Sequence, residues 1–260
     1  MRQPTGYNDE INRVCKLKRS LYGLKQASRS WSRRFTDSLN KFQLRATEAD
    51  SCVFTSEEGE SRLILAIYIN DGLIAAAEEN RINSLLQELR KEFEITTNVA
   101  DIFLGLQIEQ QANGAIFLHQ EAYTNRVLER FRMETANPVA IPADKQHETH
   151  ETITYAVNKA SQFLEQPTKT HWNAFKRILK YRKGTPYHGL YYKSGSDTKI
   201  LAYSDADYAG DTETRRSTTG YVLKLGPSTI IWSSQRQKIV ALSTTEVEYI
   251  AACQAVKELT

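Results

Sequence analysis

Cysteine is scarce in this chain of 260 residues: Cys15, Cys52 and Cys253 are the only three, an odd number without metal-ligand spacing. A disulfide scaffold and a zinc knuckle or ribbon are therefore excluded, and a reducing intracellular compartment, cytoplasm or nucleus, is expected. Long apolar runs are missing as well. The longest, Leu63 to Ile69, falls far short of the roughly 20 residues that span a bilayer, so neither a transmembrane anchor nor a membrane partner is expected. No basic-then-apolar signal segment opens the sequence. No glycine-rich phosphate loop and no nucleophile elbow occur, and nucleotide binding of the Walker or Rossmann type is not supported.

What is present suits a globular protein. The apolar fraction is 40% and the charged fraction 25%, too apolar for a disordered chain and long enough for one large or two ordinary domains. The net charge of +3 conceals an asymmetry. Residues 1–45 carry 11 Lys and Arg against 3 Asp and Glu, whereas the remainder is net acidic. A basic front end with Tyr22, Trp31 and Phe35 among its charges is a surface that can meet a phosphate backbone; a solvated amphipathic helix is the alternative.

Periodicity predicts an α+β protein. Ala27, Trp31, Phe35, Leu39 and Phe42 recur at helical spacing from Gln26 to Phe42, with Arg and Lys on the other faces. Leu63–Ile69 and a run from Leu73 read as two strands around Asn70-Asp71-Gly72, because Asp-Gly between apolar runs is a strong hairpin signal. Ile82, Leu85, Leu86, Leu89 and Phe93 mark a second helix. Phe103–Glu109 and Ala115–His119 predict a hairpin around Asn113-Gly114, and a helix with Tyr123, Val127, Leu128 and Phe131 inward follows. Residues 137–151, with Pro138 and Pro142, form the best linker. Helices over 153–164 and 169–183, the latter with Trp172, Phe175 and Leu179 inward, precede a β-rich stretch with strands at 189–193, 199–203, 219–225 and 229–232. Ser243-Thr244-Thr245-Glu246 then caps a last helix.

Two places could hold acid chemistry. Paired carboxylates at the tip of a hairpin can clamp two divalent cations for phosphoryl transfer, but Asn70 leaves Asp71 as the single strong anionic ligand there. An ordinary turn remains the alternative. The strand end Tyr203-Ser204-Asp205-Ala206-Asp207 and Glu246, at a helix start, can converge on Mg²⁺, or Asp205 and Asp207 can be turn residues and Glu246 a capping acid. Among the histidines, His147 and His150 lie in the linker, and His119, His171 and His188 have no partner in sequence.

The run from Cys15 to Trp31, with Leu21-Tyr22-Gly23-Leu24-Lys25-Gln26-Ala27 at its centre, resembles the reverse transcriptase of copia-type LTR retrotransposons. Tyr68-Ile69-Asn70-Asp71 is similar to that family's YVDD turn, and Phe103-Leu104-Gly105-Leu106 to its FLG segment. His171 to Thr185 resembles its connecting segment. Ser204 to Gly210, Arg216 to Tyr221 and Ala241 to Tyr249 resemble its ribonuclease H domain. The resemblance implies three parts: a partial reverse transcriptase, palm and thumb, over 1–136; linker and connecting helices over 137–188; and a truncated ribonuclease H-like sheet over 189–260. It also implies a Pol polyprotein that copies RNA into DNA and degrades the RNA of the hybrid with Mg²⁺. The nucleic-acid partner, an RNA–DNA hybrid or template-primer, would meet Lys16, Lys18, Arg19, Gly23, Lys25, Gln26 and Arg29, with Gly23 and Gln26 beside the incoming nucleotide. Asp71, Asp205 and Glu246 would be the metal-site carboxylates.

Departures from the family's pattern imply weak chemistry. Asn70 replaces the first aspartate of the palm turn, and Ser28 stands where the family has proline. One further polymerase aspartate is expected upstream of Met1 and one further ribonuclease H aspartate beyond Thr260, and the linker is shortened. Losing a single charge-stabilising group from a preorganised site costs about 10²–10³-fold in rate, so no meaningful polymerase activity and at most trace hybrid cleavage are expected.

Overall fold

The computed structural model describes residues 3, 6–7, 11, 13–18, 21, 23–56, 62–143, 153–195 and 197–259. Arg19, Tyr22, His147, His150 and the second half of the expected linker lie outside them. The chain forms two compact units, Met1–Val99 and Ala100–Thr260.

In the first unit, helix α1 (Ala27–Asn40) leads into a four-stranded antiparallel sheet of β1 (Arg45–Ala46), β2 (Val53–Thr55), β3 (Leu63–Tyr68) and β4 (Asp71–Ala76), in that spatial order. Helix α2 (Glu79–Glu92) follows. The strands alternate as a half-covered sheet must: Leu63 and Leu65 are buried while Ile64 and Tyr68 are exposed. The buried row meets Phe35 and Leu39 of α1 and Leu85 and Leu89 of α2, with Leu44 and Phe54 closing the core. Each such side chain contributes about 1.5–3 kcal/mol by leaving water.

The hairpin differs from expectation. Tyr68 pairs with Asp71 and Ile67 with Gly72, so the turn is Ile69-Asn70, and Asp71 and Gly72 belong to β4. The inward row sets this register, because Leu65 opposes Ile74 and Leu63 opposes Ala76; a slip of one residue would turn that row outward. The Asp-Gly signal is overruled, and Ile69 takes the left-handed conformation (φ 56°) instead. A β-branched residue there is strained by about 1–2 kcal/mol. A similar two-residue turn divides the strand expected over Phe103–Glu109: Phe103 pairs with Leu106 around Leu104 (φ 51°) and Gly105 (φ 80°).

The second unit opens with β5 (Ile102–Phe103), β6 (Leu106–Gln110) and β7 (Ile116–His119), then α3 (Glu121–Arg130), α4 (Ile153–Ser161) and α5 (Lys169–Gly184). Strand β8 (Gly189–Tyr192) returns to pair with β7, so the residues just after position 188 complete the sheet begun at position 102. A cluster around the buried His119, with half-exposed Glu109 and Tyr187, accompanies this closure. His119 Nε2 lies 3.1 Å from Glu109 Oε1, and the Tyr187 hydroxyl donates to Glu109 Oε2 at 2.5 Å. These bonds hold the Glu109 carboxyl below its ordinary pKa, the tyrosine contributing most. On α3 the buried positions are Thr124 and Leu128, whereas Tyr123 and Phe131 are exposed, since Arg182 of α5 donates to Thr124 Oγ1 at 2.5 Å and fixes how α3 sits. Likewise Ile178 and Leu179 are the buried residues of α5, and Trp172 is exposed.

Strands β9 (Ile200–Ala206), β10 (Thr218–Leu225) and β11 (Ser228–Arg236) form an antiparallel sheet with β10 central. Helix α6 (Thr244–Lys257) packs on β9 and β10, its Ala255 against Tyr221 and Leu223. Tyr192 Oη donates to the Thr229 carbonyl at 2.8 Å and Ser228 Oγ to the Tyr191 carbonyl at 2.7 Å, tying the two sheets together. Ser243 caps α6 as expected, and Thr168 caps α5 with His171 as the reciprocal partner.

Candidate functional site

Helix α1 carries the basic surface. It buries Phe35, Ser38 and Leu39 and leaves Arg29 and Arg33 exposed on one face, while Trp31, 43% exposed and stacked on Phe35 at 5.1 Å, stands on another. Arg34 is committed to structure: its guanidinium lies over Phe93 and donates to the Glu92 carbonyl at 3.1 Å. Glu92 also accepts from Lys41 (2.5 Å) and Ser38 (2.6 Å), so α2 is pinned to α1 and the carboxyl is held below its ordinary pKa, the Lys41 bond contributing most. Ser30, Arg33, Arg34, Asp37, Ser38, Lys41 and Glu92 rim an open groove of about 360 Å³. Lys16 and Lys18 lie in irregular backbone, and Lys25 and Gln26 in the turn that enters α1; all four are exposed. Gly23 sits at φ 89°, a conformation that favours glycine. Arg29 is therefore the one described residue of the expected nucleic-acid set carried on regular structure.

Asp71 is exposed at the first position of β4, paired with Tyr68. Tyr68 and Asp71 share the row turned away from the Leu63/Leu65 core, so the acid faces solvent beside the neutral amide of Asn70.

In the second unit, Asp205 is exposed near the end of β9, opposite Gly220. Glu246 stands in the first turn of α6. Its Oε2 accepts the Leu242 amide at 2.7 Å and its own amide donates to Ser243 Oγ at 3.1 Å, the geometry of a capping acid. Buried Gln237 joins the two regions, its Nε2 donating to Thr219 Oγ1 (3.0 Å) and to the Val247 carbonyl (3.2 Å), with Thr219 opposite Ala206. Asp205 and Glu246 thus lie at the same end of the sheet. They are not on one face: the Thr219/Tyr221/Leu223 row meets α6, and Asp205 belongs to the alternate row with Gly220 and Ser234.

The most enclosed carboxylate among the described residues is one that sequence reasoning missed. Asp211 is 6% exposed; it accepts from Arg236 at 2.6 Å and from the Glu213 and Thr214 amides at 3.1 Å. The Arg236 bond above all holds its carboxyl far below the usual carboxylate range. No local pattern announces a partner 25 residues away.

The profile of the family described as reverse transcriptase (RNA-dependent DNA polymerase) matches residues 1–145. The chain belongs to the reverse transcriptase family. It is 36% identical over its whole length to the retrovirus-related Pol polyprotein from transposon TNT 1-94 of Nicotiana tabacum, covering 22% of that protein. The corresponding Pol polyprotein from transposon RE2 of Arabidopsis thaliana is 34% identical, again over the whole chain and 20% of its own length. The putative transposon Ty5-1 protein YCL074W of Saccharomyces cerevisiae is 28% identical over 94% of its length. The resemblance to copia-type Pol proteins is borne out, and the chain spans about a fifth of the Pol polyproteins it matches. No solved structure matches the chain.

Reverse transcriptases work with divalent metal ions, and the described acids, as they stand, do not gather into a set that fits such a group. Among the described residues no cluster of three His, Cys, Asp or Glu side chains is arranged to hold a metal. Asp71 has an amide for its neighbour, Glu246 is engaged in its cap, and Asp205 lies on the other row of its sheet.

Proposed function

We propose that this chain is a nucleic-acid-binding portion of a retrotransposon Pol protein that holds a template-primer or RNA–DNA hybrid and catalyses little or no synthesis or cleavage. The functional parts are a partial reverse transcriptase, palm and thumb, over 1–136, linker and connecting helices over 137–188 and a truncated ribonuclease H-like region over 189–260, in which β9–β11 form the sheet while β8 pairs with β7. The observation that carries the binding is α1, where Arg29 and Arg33, four residues apart, stand exposed on one face in the segment with the surplus of positive charge. Two guanidiniums on one helix face supply phosphate contacts. Lys16, Lys18, Lys25 and Gln26 extend that basic run, with Arg19 in the same stretch of sequence. Asn70 supports the absence of synthesis, because an amide beside Asp71 neutralises no metal charge and Asp71 alone is a weak ligand for two cations. Asp205 and Glu246 are the counterparts of two ribonuclease H ligands, with Glu246 serving as a cap.

Binding of a labelled RNA–DNA hybrid at low and moderate salt tests the reading. Affinity should fall steeply with salt, and Arg29→Gln/Arg33→Gln should flatten that slope by about 0.9 for every phosphate left without its guanidinium. Absence of binding at low salt, or primer extension by the unaltered chain with Mg²⁺, refutes it. A second reading, association through a sheet edge, is favoured by β9, an outer strand with Tyr203 58% exposed; a mass that rises with concentration would support it.

A further inference from the structure

Helix α5 concentrates charge of one sign in a way that neither the fold nor α1 explains. Its 16 residues, KTHWNAFKRILKYRKG, hold six Lys and Arg and no Asp or Glu. Two of the six are structural: Arg177 Nε donates to the Ala143 carbonyl at 3.1 Å, and Arg182 donates to Thr124 on α3. The other four, Lys169, Lys176, Lys180 and Lys183, form no ion pair with any described residue. Together with Trp172 they recur at steps of three, four, four and three residues, which places all five on one stripe of the helix about 21 Å long. The stripe runs beside the buried line of Ile178 and Leu179. Like charges at i and i+4, as at Lys176 and Lys180, are destabilising, and no acid on α5 offsets them.

Aromatic groups accompany the row. Trp172 is 46% exposed although it stacks on Phe175 at 5.3 Å, and the Lys176 ammonium lies 5.6 Å from its ring. Phe131, 39% exposed at the end of α3, lies 6.4 Å from the same indole, and on α3 Arg126 lies 5.9 Å from the exposed Tyr123 ring. Cations in line with exposed aromatic rings match a chain that alternates phosphates with flat bases.

We propose that the α5 stripe is a second nucleic-acid contact, in which a single strand lays its phosphates along Lys169, Lys176, Lys180 and Lys183 and sets a base against Trp172. It rests on the nucleic-acid reading above for the class of ligand but uses a different helix in a different compact unit. A helix presents one row of charge, which suits one strand.

The test uses the full chain with Trp31→Phe and Trp232→Phe, so that Trp172 is the sole tryptophan, titrated with oligothymidylate. Trp172 fluorescence should be quenched on binding, and Lys176→Gln/Lys180→Gln should reduce the salt slope by about 1.4, at 0.7 per neutralised phosphate on a single strand. Lys176→Arg/Lys180→Arg should restore it. Binding without quenching, or an unchanged slope in the glutamine variant, overturns the proposal. Quenching by inorganic polyphosphate as strong as by oligothymidylate overturns it too, since bases would then play no part. The Arg29→Gln/Arg33→Gln variant separates the two readings: loss of hybrid binding with Trp172 still quenched leaves α5 standing, and no binding of either nucleic acid by the unaltered chain removes both.

Discussion

Removing the Asp211 carboxylate should loosen the segment between β9 and β10 more than any other single polar change in the second unit. Its charge is enclosed, bonded to Arg236 at 2.6 Å and to two backbone amides at 3.1 Å. Its own amide and carbonyl are also used, by Arg216 and Arg215. Asp211→Ala strands the guanidinium and leaves two amides without their acceptor. Breaking an enclosed charge pair in this way costs about 3 kcal/mol, which in a unit of this size lowers the melting temperature by about 6–12 °C. The pH dependence has a definite sign. The folded pKa lies below the ordinary value of 3.8, so the stabilisation is complete above that value and is lost as pH falls through the folded pKa. Urea midpoints measured from pH 7 down to pH 3 should therefore keep a constant gap between wild type and Asp211→Asn down to about pH 4 and begin to close it below, with most of the gap still open at pH 3 because the folded pKa lies far lower. A wild-type midpoint that falls no faster than the variant's below pH 4, or a loss under about 1 kcal/mol in Asp211→Ala, would refute the reasoning.

Gly189→Ala should disrupt the β7–β8 pairing, because a Cβ there would meet the Leu118 carbonyl oxygen and lie 2.8 Å from the Phe117 ring and 2.9 Å from His119 Cβ; a cost above about 2 kcal/mol in chemical denaturation is expected. Ile69→Asn should raise the stability of the first unit by about 1 kcal/mol, since asparagine tolerates the left-handed conformation of the turn; a loss of stability would show that Ile69 is not strained. Asn70→Asp should strengthen Mn²⁺ binding at the β3–β4 hairpin, seen as paramagnetic broadening of the amide signals around Asp71. Broadening identical to wild type would contradict the place given to that turn. Gln237→Leu should cost about 1–3 kcal/mol and weaken amide protection at the start of α6, because the Thr219 and Val247 ties go together.

Much of this protein follows from local pattern. The spacing of Phe35 and Leu39, and of Leu85 and Leu89, determines two helices and their buried faces, since residues four apart share a face whatever lies beyond. Ser243 and Glu246 determine the start of α6 because a cap involves only near neighbours. Membership of the reverse transcriptase family is likewise readable from the chain itself, and the family profile and the Pol relatives bear it out. Tertiary structure alone decided the rest. The β3–β4 turn moved to Ile69-Asn70 because register belongs to the buried row on both strands and outweighs the preference of Asp-Gly. His119 acquired Glu109 and Tyr187, and Asp211 acquired Arg236, across separations of 10, 68 and 25 residues that no periodicity spans. The acids singled out from sequence came to rest on separate rows and caps, because pleat alternation and helix capping, not proximity in the chain, determine where a carboxylate points.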